Sequence, residues 1–197
     1  MGNIDLIMAL KRAWDIFRRE PLKMVLAFLI VAAICLTVFL GPLALAGFFI
    51  FLRKVALGER AEVLDVLQPF SEFSRYFLAG IIWLVAQMLI MLLISVMPWI
   101  ISGLVSVALT GFLLMYMPLV ALQGRQGYDA LMDCVAFFKQ RWPMAVALAV
   151  LINILQLLGW MAMGVGLLVT MPYSLALIYA AYEQVYGADD SGSVHHV

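Results

Sequence analysis

Charge is what this chain lacks over most of its length. Three long stretches, 24–52, 76–124 and 142–182, contain no Asp, Glu, Lys, Arg or His. A soluble domain carries about 25% charged residues, whereas this chain carries 12%, beside 66% hydrophobic residues and a mean hydropathy of +1.07. A soluble core could not hide so much apolar surface, so lipid is the expected solvent. The same absence argues against proton or cation coupling through an embedded carboxylate. It also excludes a membrane protease built on embedded His or paired Asp. Only two cysteines are present. Cys35 lies in an apolar stretch and Cys134 in a charged one, so neither a disulfide nor a metal-binding spacing is expected. The only histidines, His195 and His196, stand in segment 188–197, expected as a flexible tail. No catalytic residue, cofactor or metal ligand emerges from the pattern. The formal net charge is zero, which argues against a nucleic-acid partner. Segment 1–20 lacks the apolar centre of a secretory signal, being interrupted by Asp5, Lys11, Arg12, Asp15, Arg18, Arg19 and Glu20.

The 12 basic and 12 acidic residues that are present fall between the apolar stretches. A spanning helix needs about 20 residues to cross about 30 Å of hydrocarbon. Segments 76–122 and 142–186 each fit two crossings, with turns near Pro98-Trp99 and between Gly159 and Gly166. Segment 22–57 fits two shorter ones around Gly41-Pro42, with Arg53 and Lys54 reaching to the interface from the last turn. A single kinked helix there, giving five spans, would put Arg53 and Lys54 on the opposite face from Lys11, Arg12, Arg18, Arg19 and Lys23. Six spans keep every basic group on one side, which is the cytoplasmic side by the usual rule. The expected fold is therefore an all-α integral membrane protein of a bacterial inner membrane, with both termini cytoplasmic.

A unit recurs along the chain. Phe17, Phe73 and Phe138 stand about 60 residues apart, each in a charged segment just before an apolar stretch, a period that suggests internal duplication. The units run over about 3–57, 60–122 and 128–186, forming one six-helix domain, 1–187. Each is read as a cytoplasmic interfacial amphipathic helix followed by a two-helix hairpin. In the first helix Leu6, Ile7, Leu10, Ala13, Trp14 and Phe17 share one face opposite Lys11, Arg12, Asp15, Arg18 and Arg19, a pattern suited to the headgroup plane. Tyr128, Leu131, Cys134, Val135 and Phe138 form a broader apolar arc, and segment 60–70 is weaker because Pro69 interrupts it. Glu62 with Asp65, and Asp129 with Asp133, read as solvated helix faces rather than cation sites. Expected lipid or partner contacts are Leu10, Trp14, Phe17, Arg18, Arg19, Phe73, Arg75, Phe138 and Arg141. Membrane lipids are the expected partners, with another membrane protein or a homo-oligomer as further possibilities.

Polar groups inside the stretches are amides and hydroxyls. Gln87, Asn153 and Gln156 stand out, the last two three residues apart. Interhelical hydrogen bonding is the ordinary use of such groups; a pathway for a neutral or amphipathic solute is the functional alternative. Pro118 and Pro172, each after a methionine and ahead of an Ala-Leu pair, read as kinks, with Gly47 as the corresponding position in the first hairpin.

Ala13-Trp14 through Pro21, Gly47 with 52–59, Met117-Pro118, Met171-Pro172, Tyr179 and Tyr182 together resemble the YciC-like group of six-span bacterial inner-membrane proteins. The resemblance covers nearly the whole chain to about Gly187 and implies an inner-membrane location and a shared bundle, with no catalytic residues to carry over. The expectation is a non-enzymatic membrane protein acting through lipid or protein contacts at its cytoplasmic face.

Overall fold

The computed structural model describes residues 5–37, 40–95, 99–125, 127–162 and 166–190. Within them the chain is all-helical, with no strand. Helix α1 (Leu6–Arg19) starts where the Asp5 carboxylate accepts from the backbone N–H groups of Ile7 and Met8. It ends on Arg18 and Arg19, whose charge suits the carbonyl end of a helix. Helices α2 (Pro21–Cys35) and α3 (Gly41–Leu57) both carry proline in the first two positions, where its missing N–H removes no helical bond. Gly58 stops α3 in the left-handed conformation (φ 74°), donating its N–H to the carbonyls of Lys54 and Val55.

The weak segment around Pro69 forms a 3-10 helix, Val63–Glu72, rather than an amphipathic α-helix. Its first turn is fastened by the Asp65 carboxylate, which accepts from the Glu62 N–H at 2.8 Å. Helix α4 (Phe73–Ser95) follows, then α5 (Trp99–Leu113), α6 (Tyr116–Gln123), α7 (Gly127–Met161) and α8 (Leu167–Asp190). The turn expected at Pro98 lies outside the described residues. The break at Leu114-Met115 puts Pro118 in the first turn of α6, so this proline costs no helical bond and is not the kink itself. In α7 the kink falls at Arg141 (φ −138°, ψ 30°), just ahead of Pro143. It divides the helix into 127–140 and 142–161. Helix α8 runs through Asp190, three residues into the segment expected as a tail; His195 and His196 lie outside the described residues.

Helix α3 is the centre of the packing. It touches α2, α4, α6, α8 and the 3-10 helix, and buries Phe48, Phe49, Phe51 and Leu52. Elsewhere α1 lies on α8, and α7 is held between α5 and α8. Small residues mark the tightest crossings, as lipid-embedded helices require. A side chain at Gly111 would meet the Ala145 carbonyl oxygen at 2.9 Å, and one at Gly80 would meet Pro42 at 3.0 Å.

Among the described residues, two helical stretches can cross a membrane by length and composition, Val105–Gln123 and Gly127–Met161. The pair Val63–Glu72 and Tyr76–Leu92, bent by 101°, makes a third if taken as one span, and Pro21–Cys35 is a shorter apolar helix. Leucine, isoleucine and methionine side chains such as Leu78, Met88, Leu89, Ile154 and Leu157 stand exposed along α4 and α7. An apolar exterior of this kind marks an interaction with lipid or protein. The molecule is thus a helical bundle with the makings of a membrane protein.

Candidate functional site

Helix α1 has two apolar faces with different fates. Ala9, Ala13 and Ile16 are fully buried, and α1 rests on α8. Arg12 locks that contact: its Nε and Nη2 donate to the two Glu183 carboxylate oxygens at 2.8 and 2.9 Å, a two-pronged geometry specific to guanidinium. That hydrogen bond holds the Arg12 guanidinium above its ordinary pKa. At the start of the helix, the Asp5 N–H donates to the Gln184 side-chain oxygen at 2.8 Å.

The adjoining face carries Ile7 and Trp14, 68% and 54% exposed, with Leu10 less so. Lys11 and Arg18 border this strip on the helix circumference, both exposed, and neither pairs with a carboxylate among the described residues. An exposed apolar strip edged by unpaired cations is the arrangement that suits an anionic membrane surface. Trp14 is steadied where it stands. Its ring stacks on Phe17 at 6.3 Å and meets Tyr173 of α8 edge-on at 6.3 Å, while Phe17 meets Tyr173 at 6.0 Å.

Other expected contact residues have different positions. Phe17 is buried and belongs to the docked face rather than the outward strip, because its neighbour on α8 is an aromatic ring. Arg19, though exposed, donates from Nη1 to the carbonyls of Val55 and Ala56 at 3.1 and 3.0 Å, capping the end of α3. Lys54 does not reach outward; it pairs with Asp65 at 2.7 Å, pinning the 3-10 helix to α3. Lys23 donates to the Ala61 carbonyl at 3.2 Å. Thus much of the basic collar is structural, a use that sequence spacing could not reveal because these partners of Arg19, Lys54 and Lys23 lie 11 to 38 residues away. Phe73 is exposed and stacks on Phe77 at 4.8 Å. Phe138 is half-buried, edge-on to Phe112 at 5.9 Å. Arg141 sits at the α7 kink, and the side chain of Arg75 lies outside the described residues.

A second feature lies between the helices, open on one side at Thr110. A cavity of about 160 Å³ is lined by Gln87 of α4, Thr110 of α5 and Gln156 of α7, with Trp83, Phe49 and aliphatic side chains completing the wall. Gln87 and Gln156 are therefore brought to one space. Asn153 is not: it is exposed, and its amide donates to its own helix at the Ala149 carbonyl, 2.8 Å. Three residues along a helix turn a side chain by most of a full revolution but not all of it, and that remainder separates the two amides. Among the described residues no three His, Cys, Asp or Glu side chains converge as a metal site.

No family model matches the chain, and no curated protein or solved structure matches it either.

Proposed function

We propose that the chain is a non-enzymatic integral protein of a bacterial inner membrane that acts through lipid contacts at its cytoplasmic face. In this reading the helices form six spans as three like-oriented hairpins. These are α2 with α3, α4 with α5 and α6, and 142–161 with α8, and both termini are cytoplasmic. The 3-10 helix and 127–140 accompany α1 at the interface. The resemblance to the YciC-like group accords with this arrangement. The observation that carries the functional reading is the strip Ile7, Leu10 and Trp14. It stays exposed beside Lys11 and Arg18 while the neighbouring face of α1 is fixed to α8. A rigidly held helix presents such a strip with its ordering entropy already spent in folding.

The test uses Trp14 as a depth gauge. With Trp83, Trp99, Trp142 and Trp160 changed to Phe, the protein is placed in vesicles whose lipid chains are brominated near the headgroup. Trp14 emission is expected to be quenched, more strongly when the brominated lipid is anionic. Lys11→Gln with Arg18→Gln is expected to cut that anionic preference about thirtyfold, each cation contributing about 1 kcal/mol at such a surface. Free access of iodide to Trp14 with no quenching by lipid bromine would overturn the proposal.

A further inference from the structure

The cavity between α4, α5 and α7 is independent of the collar and calls for its own account. Its wall is mostly apolar, yet a hydroxyl and two primary amides from three different helices converge on it. In a lipid-embedded bundle such groups ordinarily bond across helices. Neither Gln87 nor Gln156 does so with any protein group among the described residues. Both amides are half-buried, and an amide set against a mostly apolar wall is costly unless something bonds to it. No charged side chain lines the space, so an ion entering it would lose hydration without compensation. An uncharged guest with its own hydroxyl or amide meets neither penalty.

The size narrows the guest further. A dry cavity of about 150 Å³ takes up benzene, and this one is about 160 Å³. Trp83 and Phe49 put two aromatic side chains in the wall, suited to a ring-sized apolar guest. We propose that this cavity binds one small uncharged molecule with a hydroxyl or amide on a compact, ring-sized apolar body. Gln87, Gln156 and Thr110 hold its polar end. Trp83, Phe49 and the aliphatic wall hold the rest.

The probe is 4-bromophenol, whose bromine quenches a tryptophan only at close range. In the full chain, with Trp14, Trp99, Trp142 and Trp160 changed to Phe, Trp83 emission is followed in lipid nanodiscs. Saturable quenching is expected. Gln87→Leu with Gln156→Leu should weaken its midpoint about tenfold, the scale of losing hydrogen bonds in an apolar site. Bromobenzene, which lacks the hydroxyl, should be little affected by the same pair of changes. Ile152→Phe fills the space while keeping both amides and should abolish the saturable component, so the test survives if the double variant fails to fold. Quenching that rises linearly with 4-bromophenol, or is unchanged by Ile152→Phe, would mean partition into lipid only and would overturn the proposal.

Discussion

Gly47→Ala is expected to remove most of the folded protein at temperatures the parent withstands. Gly47 lies on α3 directly against the 3-10 helix. A Cβ there would come within 2.6 Å of the Val66 carbonyl carbon and 2.9 Å of its Cα, and closer still to its oxygen. These are backbone atoms in a segment held by the Lys54–Asp65 pair and the Lys23 bond to Ala61, so no side-chain rotation relieves the clash. Overpacking of this kind costs about 1–3 kcal/mol, and more where the neighbour cannot yield. The measurement is the thermal midpoint of the purified protein in nanodiscs, read beside monodispersity on size exclusion. Because the obstacle is Val66's backbone, adding Val66→Ala should not rescue it. A parent-like midpoint for Gly47→Ala, or full rescue by Val66→Ala, would show that the two elements sit farther apart.

Ala13→Leu is expected to lift α1 off α8. Ala9 and Ala13 have no exposed surface, so the helices meet closely and the added Cγ and two Cδ atoms of leucine have nowhere to go. The Arg12–Glu183 fork and the Asp5–Gln184 bond cannot survive that separation, since each depends on hydrogen-bond distance. Trypsin cleavage after Lys11, Arg12 or Arg18 reports the release, because cleavage tracks the population of the opened state. An increase of about tenfold is expected, equivalent to about 1.4 kcal/mol of docking free energy. Ala13→Ser should be tolerated, and Ile7→Ala, on the exposed strip, should leave cleavage unchanged. Equal cleavage in Ala13→Leu and parent would contradict the docked geometry.

Sequence reading reached the parts of this molecule that depend on local chemistry. The turn read at Gly41-Pro42 is where α3 begins, since fixed φ and a missing N–H suit a first turn. The apolar and charged faces of α1 were equally legible. Which apolar residue turns inward was not: Ala9, Ala13 and Ile16 are buried while Ile7 and Trp14 are exposed. That choice is made by α8, about 170 residues away. Arg19 and Lys54 read as surface cations because nothing local marks their partners at Val55, Ala56 and Asp65. Gln87 and Gln156 were picked out for the cost of an amide in hydrocarbon, and the fold brings both to one cavity. Asn153 was picked on the same ground and lies outside it, since three residues fall about 60° short of a full helical turn and that offset decides which side of α7 an amide occupies.

The central claim is that every charge gathers at one membrane face, beneath three like-oriented hairpins. Its most direct test is thiol accessibility in intact cells, in a Cys35→Ser, Cys134→Ser background. Single cysteines replace Thr37, Ser95 or Trp160 near the turns read as external, and Glu59 or Arg125 near those read as cytoplasmic. A membrane-impermeant maleimide should label positions 37, 95 and 160 from outside and reach 59 and 125 only after permeabilisation. Labelling of position 59 from outside would mean that 22–57 crosses once, and the six-span account would be wrong.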